Sequence, residues 1–199
     1  MSNRIQNGTI IYCMKINVIN WTERATWMTD NIILIGMPGA GKSTVGVVLA
    51  KALGYDFIDS DLLIQAETGK RLFEIIEESG IDGLLQIEEQ VNAGIRTQRT
   101  VIATGGSVIY GEAAMEHLKS IGIVVYIQVD YEALEKRLGN LLKRGVAIRK
   151  GNTLRDLYNE RAPLYEKYAD ITVNARGKGI REVVETIENI LGELCGKEI

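Results

Sequence analysis

The chain has 199 residues, of which 46% are hydrophobic and 25% charged, and its formal net charge is −3 at pH 7. This length suits one domain with a sizeable core, and the mild acidic balance argues against an electrostatic footprint for nucleic acid. No apolar run approaches the length of a membrane-spanning helix, so we expect neither a membrane nor a nucleic-acid partner.

Residues 1–30 precede the first motif, and we assign this extension no chemistry. Residues 10–19 have some β-propensity, which favours a short added strand or a contact with another subunit. We expect a monomer, with a dimer through the extension as the alternative. Cys13 and Cys195 lie near opposite ends without metal-ligand spacing, which predicts a protein of the reducing cytoplasm.

A buried strand and a glycine-rich turn follow at residues 31–44. Four consecutive aliphatic residues, Ile32 to Ile35, are typical of a strand covered on both faces of a parallel sheet. Gly36 to Ser43 match G-x-x-x-x-G-K-[ST], and a helix pattern runs from Thr44 to Leu53. Backbone N–H groups of such a loop can surround phosphates, whereas an ordinary glycine-rich turn is the alternative.

The motif predicts a nucleotide site with Lys42 at the β- and γ-phosphates and Ser43 at Mg²⁺. Its nucleotide-binding residues are Gly36, Gly39, Ala40, Gly41, Lys42, Ser43 and Thr44.

The second predicted strand, 56–59, ends in Asp59-Ser60-Asp61. Carboxylates at i and i+2 leave a strand end on the same side, at the sheet edge where ligands bind. One acid can hold Mg²⁺ through water, and the other can accept a proton or hydrogen bond from a substrate hydroxyl. The alternative makes Asp61 only the N-cap of a helix from Leu62 to Glu67.

Amphipathic helices are predicted over 72–80 and 82–95, with Glu88 and Glu89 on the wetter side. A buried strand at 100–104 runs into Gly105-Gly106, a turn that indicates either tight packing or close approach of a substrate. A helix over 111–120, a strand over 123–129 and a helix over 131–138 come next.

Residues 139–152 mix basic residues and glycines, which suits a mobile cover over the phosphates or a solvated basic loop. Thr153 and Asp156 form a near capping box at the start of a long helix, which Pro163 should kink or divide. A strand over 171–173 and a helix over 180–194 complete the pattern. The alternation predicts a three-layer α/β domain over 31–199, with a five-stranded parallel sheet and right-handed crossovers.

Four runs, taken together and in order, resemble shikimate kinase: Gly36 to Thr44, Asp59-Ser60-Asp61, Thr104-Gly105-Gly106 and Arg161-Ala162-Pro163-Leu164-Tyr165. The similarity covers about residues 31–194. It implies the P-loop nucleoside monophosphate kinase fold with sheet order 2-3-1-4-5, a helical substrate-binding region after the second strand, and a lid. It also implies ATP and Mg²⁺ as cofactors and phosphorylation of a small carboxylate-bearing metabolite, with shikimate as the first expected acceptor.

The resemblance also implies a role for single residues. Lys42 and the loop amides would hold the phosphates, and Ser43 and, through water, Asp59 would serve Mg²⁺. The remaining roles are Asp61 at the acceptor hydroxyl, Gly105 and Gly106 in the acceptor pocket, Arg161 at a substrate carboxylate, Arg144 as the lid arginine and Arg137 against adenine.

The sequence departs from this family pattern mainly in the acceptor and lid regions. Leu85 stands where the family has a second carboxylate-binding arginine, for which Arg71 could be a replacement cation. Thr104 stands at the third glycine of the usual Gly-Gly-Gly turn, Arg144-Gly145-Val146 stands in for the usual lid segment, and residues 173–176 lack a frequent aspartate. We therefore keep open a paralogue for another acceptor, such as homoserine, and a nucleotide-binding module without kinase activity.

Overall fold

The computed structural model describes residues 31–138 and 151–194. Five strands form one parallel sheet in the order β2-β3-β1-β4-β5, which confirms the predicted fold class. The strands are β1 (Asn31–Ile35), β2 (Asp56–Asp59), β3 (Thr100–Ala103), β4 (Gly122–Gln128) and β5 (Ile171–Asn174).

Helices connect these strands and complete a three-layer α/β fold. The helices are α1 (Lys42–Leu53), α2 (Ser60–Thr68), α3 (Leu72–Gly94), α4 (Glu112–Ile121), α5 (Tyr131–Leu138), α6 (Leu154–Tyr168) and α7 (Ile180–Leu194), with a 3₁₀ turn at Val108–Tyr110. Gly80 breaks α3 with φ 71° and ψ 180°, so the two helices predicted for this region meet at a kink.

The main core lies around the three interior strands, β3, β1 and β4. Every residue of β1 and β3 is buried, because helices cover both faces of the sheet and leave no wet face for alternation. Asn31 satisfies its buried amide at the start of β1: Nδ2 donates to Thr97 O and Ile121 O, both at 2.9 Å, and Oδ1 accepts from Thr100 N at 3.1 Å.

A second, smaller core holds α2 against α3. Its buried members are Ile64, Ile75, Leu84 and Val91. The carboxyl ends of the strands lie at one edge of the sheet, and this small core fixes α2 and α3 beside that edge.

Two local predictions differ from the structure. Helix α1 begins at Lys42, two residues earlier than its apolar pattern, because Gly41 turns the chain directly into the helix. Helix α6 continues through Pro163 from Leu154 to Tyr168, so the proline does not divide it, whereas its predicted capping box at Thr153 and Asp156 is present.

Several predictions fall on residues outside 31–138 and 151–194. They concern the extension over residues 1–30, both cysteines, and residues 139–150 of the predicted cover, including Arg144. Within the described ranges, none of the helices has the length and apolar character needed to cross a membrane.

Candidate active site

The loop between β1 and α1 forms one end of the site. Gly41, the N-cap of α1, has φ 94° and ψ 16°, a left-handed conformation that strains any residue with a Cβ atom. Its lack of a side chain leaves the first N–H groups of α1 open to an anion. Ser43 and Thr44 follow in the first turn with exposed side chains. The loop thus offers backbone donors and a hydroxyl group at the same place.

The Lys42 side chain folds back over this loop. Its Nζ donates to Gly36 O at 2.8 Å and to Met37 O at 3.1 Å, and the residue is only 8% exposed. Burial lowers the pKa of Lys42 to about 8, although the carboxylates of Asp61 and Asp59 oppose the shift. A bound phosphate would favour the charged ammonium, so the site is electrostatically suited to an anion.

Asp59 and Asp61 occupy different positions at the end of β2. Helix α2 begins at Ser60, and Asp59 is its N-cap, with Oδ1 accepting a hydrogen bond from Asp61 N at 3.0 Å. The alternative in which Asp61 is the cap is therefore wrong, and the two carboxylates do not share one strand face. Asp61 instead lies in the first turn of α2 and lines the central cavity.

The Asp61 carboxyl group is set up to accept a proton. Burial is the main cause of its raised pKa, the neighbouring Asp59 carboxylate adds to the effect, and Lys42 opposes it. A carboxylate with a raised pKa is a better general base than one in water.

Gly105 separates two acids that approach the turn after β3. A Cβ atom at this position would collide with Glu88 Oε1 and lie 2.9 Å from Asp61 Oδ1. Gly105 N donates to Ser60 Oγ at 3.1 Å, which fixes the turn to the start of α2. A side chain at this position would therefore force the Glu88 carboxyl group out of its place.

The neighbours of Gly105 link the turn to the rest of the site. Thr104 Oγ1 donates to Leu34 O at 3.0 Å, beside the backbone bond from Thr104 N at 3.2 Å. A Cβ atom at Gly106 would lie 2.7 Å from Pro38 Cδ. The turn therefore packs directly on the phosphate loop, and the threonine extends the contact between β1 and β3.

Arg161 projects from α6 into the same cavity and is only 1% exposed. Its Nε donates to the Tyr110 hydroxyl at 3.2 Å, and that hydroxyl donates to Glu160 Oε1 at 2.6 Å. The Tyr165 hydroxyl donates to Gly106 O at 2.5 Å. The two tyrosines thus support the guanidinium and the glycine turn, roles that the sequence analysis did not assign.

Glu88 is the main site residue that sequence reasoning missed. It is 3% exposed and lines the cavity, so the prediction that it lies on the wetter side of its helix is wrong. The signal was present, because Leu84 and Val91 lie one turn before and after Glu88 and define an apolar stripe that includes the acid.

These groups surround one cavity of about 380 Å³. The phosphate loop forms one wall, and α2, α3, the turn after β3 and α6 form the others. The lining residues are Pro38, Gly39, Gly41, Lys42, Ser43, Thr44, Asp61, Ile64, Leu72, Leu84, Glu88, Thr104, Gly105, Gly106, Ser107 and Arg161.

Other predicted residues lie near or outside this cavity. Arg137 is exposed, and its Nη1 donates to Gly39 O at 3.4 Å, at the outer side of the phosphate loop. Arg71 is exposed at the start of α3 and Leu85 is half-buried, and neither belongs to the described cavity wall. Arg144 lies outside the described residues.

Comparisons with known proteins agree with this geometry. A family model described as shikimate kinase matches residues 38–191. The shikimate kinase of Thiobacillus denitrificans is 38% identical over 174 residues, which cover 84% of this chain and 93% of that protein. The shikimate kinase of Synechococcus sp. is 39% identical over 163 residues, which cover 79% and 82% respectively.

A solved structure shows the same relationship. The shikimate kinase from Acinetobacter baumannii in complex with shikimate is 34% identical and has a TM-score of 0.76. The match covers 85% of this chain and 97% of that structure.

Proposed function

The chain belongs to the shikimate kinase family, and on that premise we propose that it phosphorylates shikimate with ATP, giving shikimate 3-phosphate and ADP. The observation that carries the proposal is the single cavity in which a phosphate loop faces Asp61 and Arg161. A nucleotide-binding module needs only the first of these walls. The half-buried carboxyl group of Asp61 and the buried guanidinium of Arg161 on the opposite wall indicate that a second, polar molecule binds there.

The phosphate end would hold the nucleotide. The N–H groups at the start of α1 and the Lys42 ammonium would bind the β- and γ-phosphates. Lys42 already donates to the carbonyl groups of Gly36 and Met37, so its Nζ would have to turn only from these carbonyl groups to the phosphates. Arg137, beside Gly39, would lie at the adenine end.

The acceptor end would hold the carboxylate and the reacting hydroxyl of shikimate. Arg161 would pair with the carboxylate, for which a planar guanidinium is well shaped. Asp61 would accept the hydrogen bond of the hydroxyl group. The hydroxyl oxygen then forms a bond to the γ-phosphorus, the bond from that phosphorus to the β,γ-bridging oxygen breaks, and Asp61 takes up the proton.

Mg²⁺ fits the donors at the phosphate end. Ser43 lines the cavity, and Asp59 is close enough to Lys42 to affect its pKa, so a hydroxyl and a carboxylate of the kind that Mg²⁺ prefers are present. In the described ranges, His, Cys, Asp and Glu side chains form no group of three or more that could hold a metal ion by itself. Ser43 and Asp59, the latter through water, would hold the ion together with phosphate oxygens, and it would neutralise phosphate charge.

We further propose residues 31–199 as the kinase domain, a monomeric state and a cytoplasmic location. The match over residues 38–191 supports the first of these. The location and the absence of a nucleic-acid partner rest on the composition of the chain.

The direct test is acceptor-dependent ADP formation by the purified full chain with ATP and Mg²⁺. We expect shikimate to stimulate ADP release with equal formation of a shikimate phosphate, and Lys42→Ala to abolish both. Lys51→Ala, an exposed lysine at the other end of the same helix, is the matched control and should keep full activity.

Two outcomes would contradict this proposal. ATP binding without acceptor-dependent ADP would indicate a nucleotide-binding module, and faster turnover of homoserine than of shikimate would indicate a paralogue with another substrate.

A further inference from the structure

Helix α1 carries apolar side chains on both its inner and its outer side. Val45, Leu49 and Ala50 lie on the inner side and belong to the main core. Val47 and Val48 lie on the opposite side and are 51% and 39% exposed. A surface helix usually presents polar residues to water, whereas a helix that is apolar all round is covered on all sides. The two valines therefore indicate a surface that a further segment covers.

The neighbours of these valines extend the surface along the helix. Thr44 lies one turn before them and Ala52 one turn after them, and both are exposed. Lys51 lies on the same side, but its ammonium can stay in water while its aliphatic stem lies under a cover. We call these five residues, Thr44, Val47, Val48, Lys51 and Ala52, the α1 outer face.

The chain enters the fold beside the α1 outer face. Helix α1 ends at Leu53 and the parallel strand β2 begins at Asp56, so α1 ends at the edge of the sheet where β1 also begins, at Asn31. Val48 lies about 8 Å from the end of α1, at about 1.5 Å per helical residue. An extended chain advances about 3.3 Å per residue, so the residues directly before Asn31 can span this distance.

The extension over residues 1–30 supplies side chains that fit an apolar surface. Both tryptophans of the chain, Trp21 and Trp27, lie in it, and Met28 follows the second. Tryptophan side chains stabilise a contact strongly when they are covered, because each removes a large apolar area from water. The extension therefore has both the reach and the composition to cover α1.

A segment of the same chain suits this face better than a second copy of the protein. A stable interface between two chains covers about 800 Å² on each partner. A helix of 12 residues is about 18 Å long and about 10 Å wide, so one side of it offers far less area. A tethered segment needs less contact area, because its link to β1 keeps its effective concentration high.

We propose that residues 21–28 bind across the α1 outer face of their own chain and place tryptophan side chains against Val47 and Val48. The segment forms an outer cover over the helix whose first turn contributes to the phosphate end of the site. The acceptor takes no part in this contact, so the inference holds whether or not shikimate is the substrate.

The first measurement is the tryptophan fluorescence of the full chain. Its emission reports the extension alone, because both tryptophans lie there. The variant is Val47→Glu combined with Val48→Glu, and the matched control is Leu62→Glu, a 63% exposed apolar residue on α2. We expect wild type and the control to emit at short wavelength and to resist quenching by acrylamide. In the double variant, both properties should shift towards those of the chain unfolded in urea.

The second measurement is Tm, for which an uncovered helix predicts the opposite sign. Glutamate has a higher helix propensity than valine, and Val47→Glu places an acid one turn before Lys51. On a helix that faces water, the double variant should thus be at least as stable as wild type. If the extension covers the face, we expect Tm to fall by about 4 °C or more, because two half-covered valines lose their contact.

Three results would overturn the inference. The first is wild-type fluorescence that acrylamide quenches as strongly as in the urea-unfolded chain, a measurement that depends on no variant. The second is a double variant that keeps the wild-type emission and has an unchanged or higher Tm. The third is an emission that changes with protein concentration together with a dimer in solution, which would make a second copy the cover of α1.

Discussion

Replacement of Lys42 by methionine should make the free protein more stable while it abolishes phosphoryl transfer. The lysine ammonium is buried in the empty site, and its pKa of about 8, against an ordinary value of 10.5, measures the cost of keeping it charged there. Methionine is similar in length and carries no charge. The substitution therefore removes the cost of burying a cation and also the cation that the transferring phosphoryl group needs.

The magnitude follows from the pKa difference. Lowering the pKa from 10.5 to about 8 corresponds to about 3 kcal/mol of lost stability at pH 7. The variant also loses the bonds from Lys42 Nζ to Gly36 O and Met37 O, which together offset about 1 kcal/mol or more. We therefore expect a gain of about 2 kcal/mol at pH 7, or about 4–8 °C in Tm for a domain of this size.

The stability gained by Lys42→Met over wild type should decrease as pH rises. Between pH 8 and 10.5 the unfolded chain keeps a proton on Lys42 that the folded chain has lost, so the wild-type protein becomes more stable, relative to the variant, as pH rises through this window. The advantage of Lys42→Met should thus be full below pH 8 and largely gone by about pH 10.

The assay is urea unfolding of both proteins from pH 7 to 10 without nucleotide, combined with an ADP-release assay. Lys51→Met, an exposed lysine in the last turn of the same helix, is the control and should change stability by less than about 0.5 kcal/mol. A variant that is no more stable than wild type at pH 7, or whose advantage is the same at pH 7 and 10, would refute the burial argument. Turnover within about tenfold of wild type would remove Lys42 from the mechanism.

Three further predictions concern the Asp59–Asp61 pair, Leu85 and Gly105. Asp61→Asn should lower kcat with shikimate by about 100-fold or more, with little change in the KM for ATP. Asp59→Asn should instead raise the Mg²⁺ concentration that the enzyme requires. The stability of this second variant should be unchanged, since asparagine caps a helix as well as aspartate does. If both variants only lowered Tm and kept their kinetics, the carboxylates would have structural roles alone. Leu85→Arg should lower the KM for shikimate about 10- to 100-fold, because a guanidinium bond to a carboxylate contributes about 1.5–3 kcal/mol. An unchanged or higher KM would contradict the assignment of position 85 to an altered acceptor site. Gly105→Ala should lower kcat/KM for shikimate at least about tenfold with ATP binding intact, because the new Cβ atom would collide with Glu88, and equal losses for both substrates would argue for general misfolding.

The sequence alone predicted the fold and the glycine-rich loop between β1 and α1. The apolar run from Ile32 to Ile35 predicted a strand covered on both faces, and the spacing from Gly36 to Ser43 predicted a loop that leads into a helix. Such signals are local, since a loop and the first helical turn are built from neighbouring residues. The resemblance then supplied the strand order, which the structure confirms.

The acceptor end depended on contacts that no local pattern encodes. The interpretation of Asp59 and Asp61 as neighbours on one strand failed because helix α2 begins one residue after Asp59. Glu88 was placed on the wrong side because the apolar side of α3 serves two surfaces, the small core around Leu84 and the wall of the cavity. Only the packed structure separates them.

The support of Arg161 by Tyr110 joins residues 51 positions apart. A helical period reports that one side of a helix is covered, but not what covers it. The docking of α2, α3 and α6 around one sheet edge decides which buried charges meet and therefore which proton each acid holds.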